Sequence, residues 1–203
     1  MNRLFVFPIV EGRGEAAAVP VLLVRLGREL LGIEIRCDHP LPRKRDRLLS
    51  DRFDGLADAV EFGRRKTAAA RGCSTLILLL LDAEDDCRKG RPLGPKLQAR
   101  AESAAGTQPV SCVVADAKCE AWFAAGADVD HPIFEFAPGE QPPEEIEAQG
   151  IGLGWVRNHV PGRRYGKTVD QKKLTKQLGL ARCRSRSRSF DKLCRSLESA
   201  ARA

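Results

Sequence analysis

The chain has 203 residues, 43% of them hydrophobic, with 34 Lys+Arg against 27 Asp+Glu and a formal net charge of +7. That length supports one sizeable core with at most a small second lobe, and the longest apolar stretch, Leu76 to Leu81, is far too short to span a bilayer. MNRLFVFPIV, followed at once by Glu11, lacks the layout of a secretory signal, and the seven cysteines show neither a CxxC pair nor a zinc-type Cys/His spacing, so a reduced, cytoplasmic chain with no membrane segment is the expectation.

Leu4 to Val10 is a β-rich apolar run, and Glu15 to Leu31 repeats apolar residues at helical spacing with Gly32 placed as a stop. Ile33 to Cys37 alternates as a short strand, and the loop HPLPRKRDR leads to a helical pattern from about Gly55 to Ala70. Ser74 to Leu81 is continuously apolar, the pattern of a strand covered on both faces. Pro95 to Ala105 reads as helix, Val110 to Ala115 as strand and Ala117 to Ala125 as helix. Strands alternating with helices predict an α/β fold with a mostly parallel sheet covered by helices on both faces.

Past Gly126 the composition changes. Residues 127–150 form an acidic, proline-rich loop, and residues 151–203 a small basic helical region with candidate helices at Val169 to Leu178 and Phe190 to Ala201. Residues 1–126 are the expected core. Residues 1–150 hold 20 Lys+Arg against 24 Asp+Glu, whereas residues 151–203 hold 14 against 3. Such asymmetry fits either a polyanion contact or a solvated basic face. Arg163, Arg164, Lys172, Lys173, Arg184, Arg186 and Arg188 are the candidates for nucleic-acid phosphate, the last three alternating with serines; gripping the chain's own loop at 128–147 is the alternative. Ser189 is placed to cap the last helix.

In open parallel sheets ligands gather at the C-terminal ends of the strands. Two strand ends here carry carboxylates: Val10-Glu11-Gly12, and Leu81-Asp82-Ala83-Glu84-Asp85-Asp86. Acids delivered together by a buried strand repel one another, and a divalent cation relieves that repulsion. Asp85 and Asp86 also suit simple turn or cap roles. Glu120, in AKCEAWFAA, is either a partly buried site residue or an exposed helix position. His39, His131 and His159 stand apart and read as surface or packing residues. Gly162 to Thr168 falls one residue short of a phosphate loop, Gly150 to Gly154 reads as a turn, and Trp155 to Val160 is β-rich.

Val10-Glu11-Gly12, the Asp82-Ala83-Glu84 cluster after a leucine-rich strand, Glu120-Ala121-Trp122-Phe123, Tyr165-Gly166-Lys167, Asp170-Gln171 and Arg188 to Leu193 occur in an order that resembles a bacterial family with a Toprim-like domain, found among phage-defence genes. The resemblance implies a Toprim-type site in which Glu11, Asp82 and Glu84 hold Mg²⁺ or Mn²⁺, with Glu84 standing where that pattern has Asp. Asp86 and Glu120 would support a second metal or the ligands, and Lys167 would neutralise developing charge. The expected function is metal-dependent phosphodiester cleavage of nucleic acid with Glu11, Asp82, Glu84, Glu120 and Lys167 as catalytic residues. The alternative is a non-catalytic partner or sensor subunit of an ATPase-containing defence complex. An ATPase partner follows from the resemblance alone, and a homo-oligomer is compatible with the sequence.

Overall fold

Leucines 76, 78 and 80 face one side of a central strand while Ile77, Leu79 and Leu81 face the other, all of them buried. This two-residue period, with both faces apolar, makes Ser74–Asp82 (β4) a strand that must be covered twice. The computed structural model describes residues 2–50, 54–84, 93–116, 118–130, 133–144, 146, 151–162 and 165–203. Beside β4 lies Asn2–Val10 (β1), paired in parallel from Leu4↔Ser74 to Val10↔Leu80. Ile33–Cys37 (β2) and the two-residue Leu41–Pro42 (β3) pair with the other edge of β1, and Val110–Ala115 (β5) pairs with β4. All these pairings are parallel, and the order is β2-β1-β4-β5 with β3 beside β1. The expected α/β architecture is the one observed.

The helices divide by face. Arg45–Leu49 (α2), Gly55–Ala68 (α3) and Leu93–Ala105 (α4) contribute Leu48, Leu56, Val60, Leu97 and Ala101 to the cluster around Phe7, Ile9, Ile77 and Leu79. The opposite face is covered by Arg13–Arg25 (α1), which continues as a π-helical segment, Leu26–Leu31, and ends at Gly32 in the left-handed conformation (φ 66°). Gly32 is therefore the expected stop, since a residue with a Cβ is strained at that φ.

The rest of that face is built by Glu120–Ala125 (α5), Leu153–His159 (α6), Lys167–Gln177 (α7), Leu180–Arg186 (α8) and Arg188–Arg202 (α9). Phe190, Leu193 and Leu197 of α9 are fully buried in one cluster with Leu4, Leu78 and Val113, and Trp122 meets Phe190 edge to face at 5.2 Å. Helices α6 to α9 of the basic C-terminal region thus each place residues in the core. Close backbone contact reinforces this. A Cβ on Gly179 would stand 2.6 Å from the Gly126 carbonyl oxygen, so α8 starts directly against the end of α5.

Two helices depart from the pattern read in the sequence. Trp155 to Val160 has β-forming residues, yet Trp155 to His159 lie in α6 with Val160 as its C-cap; the Trp155 and His159 rings stack at 4.1 Å and His159 Nδ1 lies 2.8 Å from the Trp155 carbonyl one turn back. Gly152 is the N-cap of that helix and not part of a free turn. The arginine/serine tract hides α8, whose buried Leu180 and Cys183 are three residues apart. Ser187, not Ser189, caps α9: its hydroxyl accepts from Phe190 N–H at 3.2 Å, while Ser189 Oγ accepts from the Trp122 indole at 3.0 Å. Among the described residues no helix is long and apolar enough to cross a membrane.

Candidate functional site

From β1 the chain passes over one face through α1, and from β4 it passes over the other through α4. Neighbouring strands whose connections leave on opposite faces open a crevice at their C-terminal ends, the place where parallel sheets bind ligands. Glu11 and Asp82 stand at those two ends. The Asp82 carboxylate meets Lys167 of α7 and the Cys119 amide, while Glu11 lies beside Arg45 of α2.

The two are still tied together. Glu11 Oε1 accepts the Asp82 backbone N–H at 2.7 Å, and Arg45 of α2 lies 4.0 Å from the same oxygen while donating to the Asp82 carbonyl at 3.2 Å. Asp82 Oδ1 accepts from Cys119 N–H at 2.7 Å, and Lys167 Nζ is 3.3 Å from Oδ2. That ammonium, at the first residue of α7, also pairs with Glu15 of α1 and lies 3.9 Å from Glu120 Oε1. Tyr165 OH donates to Glu120 Oε1 at 3.2 Å, and Glu120 Oε2 is buried without a hydrogen-bond partner. Glu15, Asp82 and Glu120 are 3%, 3% and 0% exposed, so three carboxylates are withdrawn from water around one lysine.

The charge balance shows in the titration of these groups. Burial pushes Glu11 up to about 7, with the neighbouring Asp82 carboxylate adding to the rise and the Asp82 N–H bond opposing it. Burial likewise raises Glu120. For Lys167 burial acts downward, but Asp82, Glu120 and Glu15 outweigh it and hold the ammonium above its ordinary value. Burial and then the Glu120 carboxylate raise the Tyr165 phenol, which therefore remains a donor.

Of the residues singled out by sequence, Glu11, Asp82, Glu120 and Lys167 converge. Glu84 does not share their contacts: it is exposed, takes a positive φ of 49°, and pairs with Lys118 at 3.6 Å. Asp85, Asp86, Arg163 and Arg164 lie outside the described residues. Lys172 and Lys173 are exposed on α7. Arg184 donates to Glu198 and Asp191, Arg186 to the Pro142 and Pro143 carbonyls, and Arg182 pairs with Asp128. Arg188, exposed at the start of α9, also has contacts of its own. His159 is a buried packing residue, with Nε2 2.8 Å from Glu140. Among the described residues no three His, Cys, Asp or Glu side chains form a ready-made metal cluster.

Sequence reasoning missed Glu15, Tyr165, Arg45 and the Cys119 amide. A signal for Glu15 was present in Glu11-Gly-Arg-Gly-Glu15, because two glycines in a first helical turn permit close approach. A Cβ at Gly14 would collide with Gln171 Oε1 and stand 3.0 Å from Lys167 Cγ, so Gly14 is what lets α7 carry Lys167 to α1.

Fold and site together define an open, parallel α/β protein with a lysine-bridged carboxylate cluster at its topological switch point. The chain belongs to the family described as a domain of unknown function, DUF4276, whose model matches residues 10–198. That span reaches from the end of β1 into α9 and so includes all the described members of the cluster. No curated protein and no solved structure shows significant similarity to it.

Proposed function

We propose that the protein is a Mg²⁺- or Mn²⁺-dependent phosphodiester hydrolase acting on nucleic acid, of the Toprim type that the sequence resembles. One observation carries the reading: Glu15, Asp82 and Glu120 gather around Lys167 at the switch point, and Glu11, beside Arg45, is bonded to the Asp82 backbone at the same strand ends. Four carboxylates stand against two cations, and burial raises Glu11 and Glu120 because their ionised forms are poorly compensated there, a strain that a divalent ion would relieve. The donors are hard oxygens, which suit Mg²⁺, and Mg²⁺ needs only one or two carboxylates because it keeps water and takes substrate phosphate oxygens. Glu11 and Asp82 would hold it; the buried, unpartnered Glu120 Oε2 is a further acceptor in the same cluster. A bound divalent ion supplies charge stabilisation and an activated water to phosphoryl chemistry.

The chain's own residues have separate tasks. Cys119 N–H fixes the rotamer of Asp82, and Asp82 N–H does the same for Glu11. Lys167 opposes the rise that burial imposes on Glu120 and offers a compact cation to a phosphate oxygen. Tyr165 holds Glu120. Glu15 supplies the third carboxylate that the resemblance assigned to Glu84.

A non-catalytic subunit working with an ATPase in a phage-defence complex is the second reading. It is favoured by Lys167, whose ammonium sits among the carboxylates, and by the distance of Glu84 from the cluster's contacts. Nicking of supercoiled plasmid, with Mg²⁺, Mn²⁺ or EDTA and with or without an adjacent ATPase, separates the two. Cleavage that needs the metal and disappears in Asp82→Asn, which retains an acceptor for Cys119 N–H, is the expected result. Equal cleavage by Asp82→Asn, or none in any metal, refutes the hydrolase.

A further inference from the structure

The basic character of residues 151–203 directs attention to the C-terminal arginines as the phosphate-binding surface, but the structure engages several of them within the chain. The Arg184 guanidinium makes three hydrogen bonds, to Glu198 at 2.8 and 3.1 Å and to Asp191 at 3.0 Å. Arg182 is paired with Asp128 and Arg186 donates to two proline carbonyls. Arg182 and Arg186 attach Asp128, Pro142 and Pro143 to α8, and Arg184 ties α8 to α9. A guanidinium already saturated by carboxylates brings little net charge to a polyanion.

Other cations stand at the mouth of the crevice. Arg13 opens α1 two residues after Glu11, while Arg43 and Lys44 follow β3 and precede Arg45; all three are exposed. Their backbone is held close to the cluster. Arg43 N–H donates to the Val10 carbonyl at 2.8 Å, the residue before Glu11, and Arg45 donates to the Asp82 and Ala83 carbonyls at 3.2 and 3.4 Å. On the far side of β4 the β5–α5 connection brings Lys118, 38% exposed, next to the Cys119 amide that holds Asp82. Arg13, Arg43 and Lys44 thus stand within a few residues of the acid-bearing strand ends, and Lys118, paired with Glu84, stands across β4 from them.

We infer that this rim, with Arg13, Arg43 and Lys44 at its centre, is the surface that holds the phosphodiester backbone of the nucleic acid across the carboxylate cluster. The inference rests on the proposed nucleic-acid substrate and assigns its contacts to the strand-end loops in place of the C-terminal arginines. Charge placement supports it physically. A backbone whose scissile phosphate faces Glu11 and Asp82 is repelled by the unfilled cluster, so neighbouring phosphates need cations within a few ångströms of the same strand ends. Lys172 and Lys173 serve less well, being five and six residues along α7 from Lys167 and so about 8 to 9 Å farther down the helix axis.

The test compares Arg13→Ala/Arg43→Ala/Lys44→Ala with Lys172→Ala/Lys173→Ala, all of them exposed positions outside the cluster. Affinity for a 20-base-pair DNA duplex and for an RNA duplex of the same length is measured with Ca²⁺ in place of Mg²⁺ across a salt series, alongside thermal melting and plasmid nicking in Mg²⁺. Loss of three phosphate contacts should lower the slope of log affinity against log salt by about 2 to 3 on duplex DNA. The expected result is that drop in the rim variant, with an unchanged melting temperature, and a near wild-type slope in the α7 variant. Should the rim variant melt lower, Arg43→Gln/Lys44→Gln repeats the comparison with the side-chain stems retained. Wild-type protein that cuts DNA while the rim variants bind normally overturns the inference and leaves the proposed function standing. Wild-type protein that neither binds nor cuts removes both.

Discussion

Replacing Lys167 with methionine keeps the stem that packs against Gly14 and removes the ammonium that faces Glu15, Asp82 and Glu120. A unit charge pair at the 3.3 Å Lys167–Asp82 separation attracts by about 5 kcal/mol at an effective dielectric constant near 20. Desolvation of the buried acids offsets much of this, and the lysine side chain is 38% exposed, which screens it further. A net loss of about 2 to 3 kcal/mol near pH 8 is the expectation, below the range for fully buried pairs. The sign against pH follows from the protons bound. The folded ammonium is held above its ordinary value, so its stabilisation is complete at neutral pH and disappears only in strong alkali. In the variant, carboxylates without a counter-ion bind protons in the native state that the unfolded chain releases above about pH 4.3. The loss relative to wild type must therefore shrink as pH falls from 8 to 5. Urea unfolding at several pH values measures it, and millimolar Mg²⁺ should restore part of the stability by preferential binding to the native cluster. A loss below about 0.5 kcal/mol that is the same at pH 5 and pH 8 would refute the view that Lys167 balances a buried anionic cluster.

Three other perturbations test the same site. Glu11 has its folded value raised to about 7, so the native state retains a proton that the unfolded chain gives up, and stability falls as pH rises from about 4.5 through 7; Glu11→Gln, which keeps an acceptor for Asp82 N–H, should flatten that fall in melting curves, and an unchanged slope would show that Glu11 is not the group responsible. Tyr165→Phe deletes the donor to buried Glu120 and should cost about 1 to 3 kcal/mol in chemical unfolding, whereas no change would mean that water replaces the hydroxyl. Gly14→Ala drives a Cβ into Gln171 and against Lys167; a loss of about 1 to 3 kcal/mol is expected, together with a lowered ammonium titration seen by NMR of Lys167, and a wild-type titration would show that α7 adjusts without moving the lysine.

Much of the fold was legible because it depends on local pattern. Continuous apolar runs at 4–10, 74–81 and 110–115, separated by helical spacing and closed by a glycine such as Gly32, specify buried parallel strands with helices on both faces, and Glu11 and Asp82 were found because carboxylates at the ends of such strands are conspicuous. What sequence alone could not decide is which side chains meet across the chain. Glu15 lies on a different element from Lys167 and Glu120, and only the packing of α1 against α7, made close by Gly14, brings the three together. The resemblance placed Glu84 beside Asp82 as a ligand, but the turn after β4 carries it outward to Lys118. The C-terminal arginines looked like a polyanion surface because net charge counts residues without their partners; Glu198, Asp191 and Asp128 become partners only once α8 and α9 fold back onto the sheet. Secondary structure follows from periodicity within a few residues, whereas ion pairing follows from distances between residues far apart in sequence, and those are set by the tertiary fold.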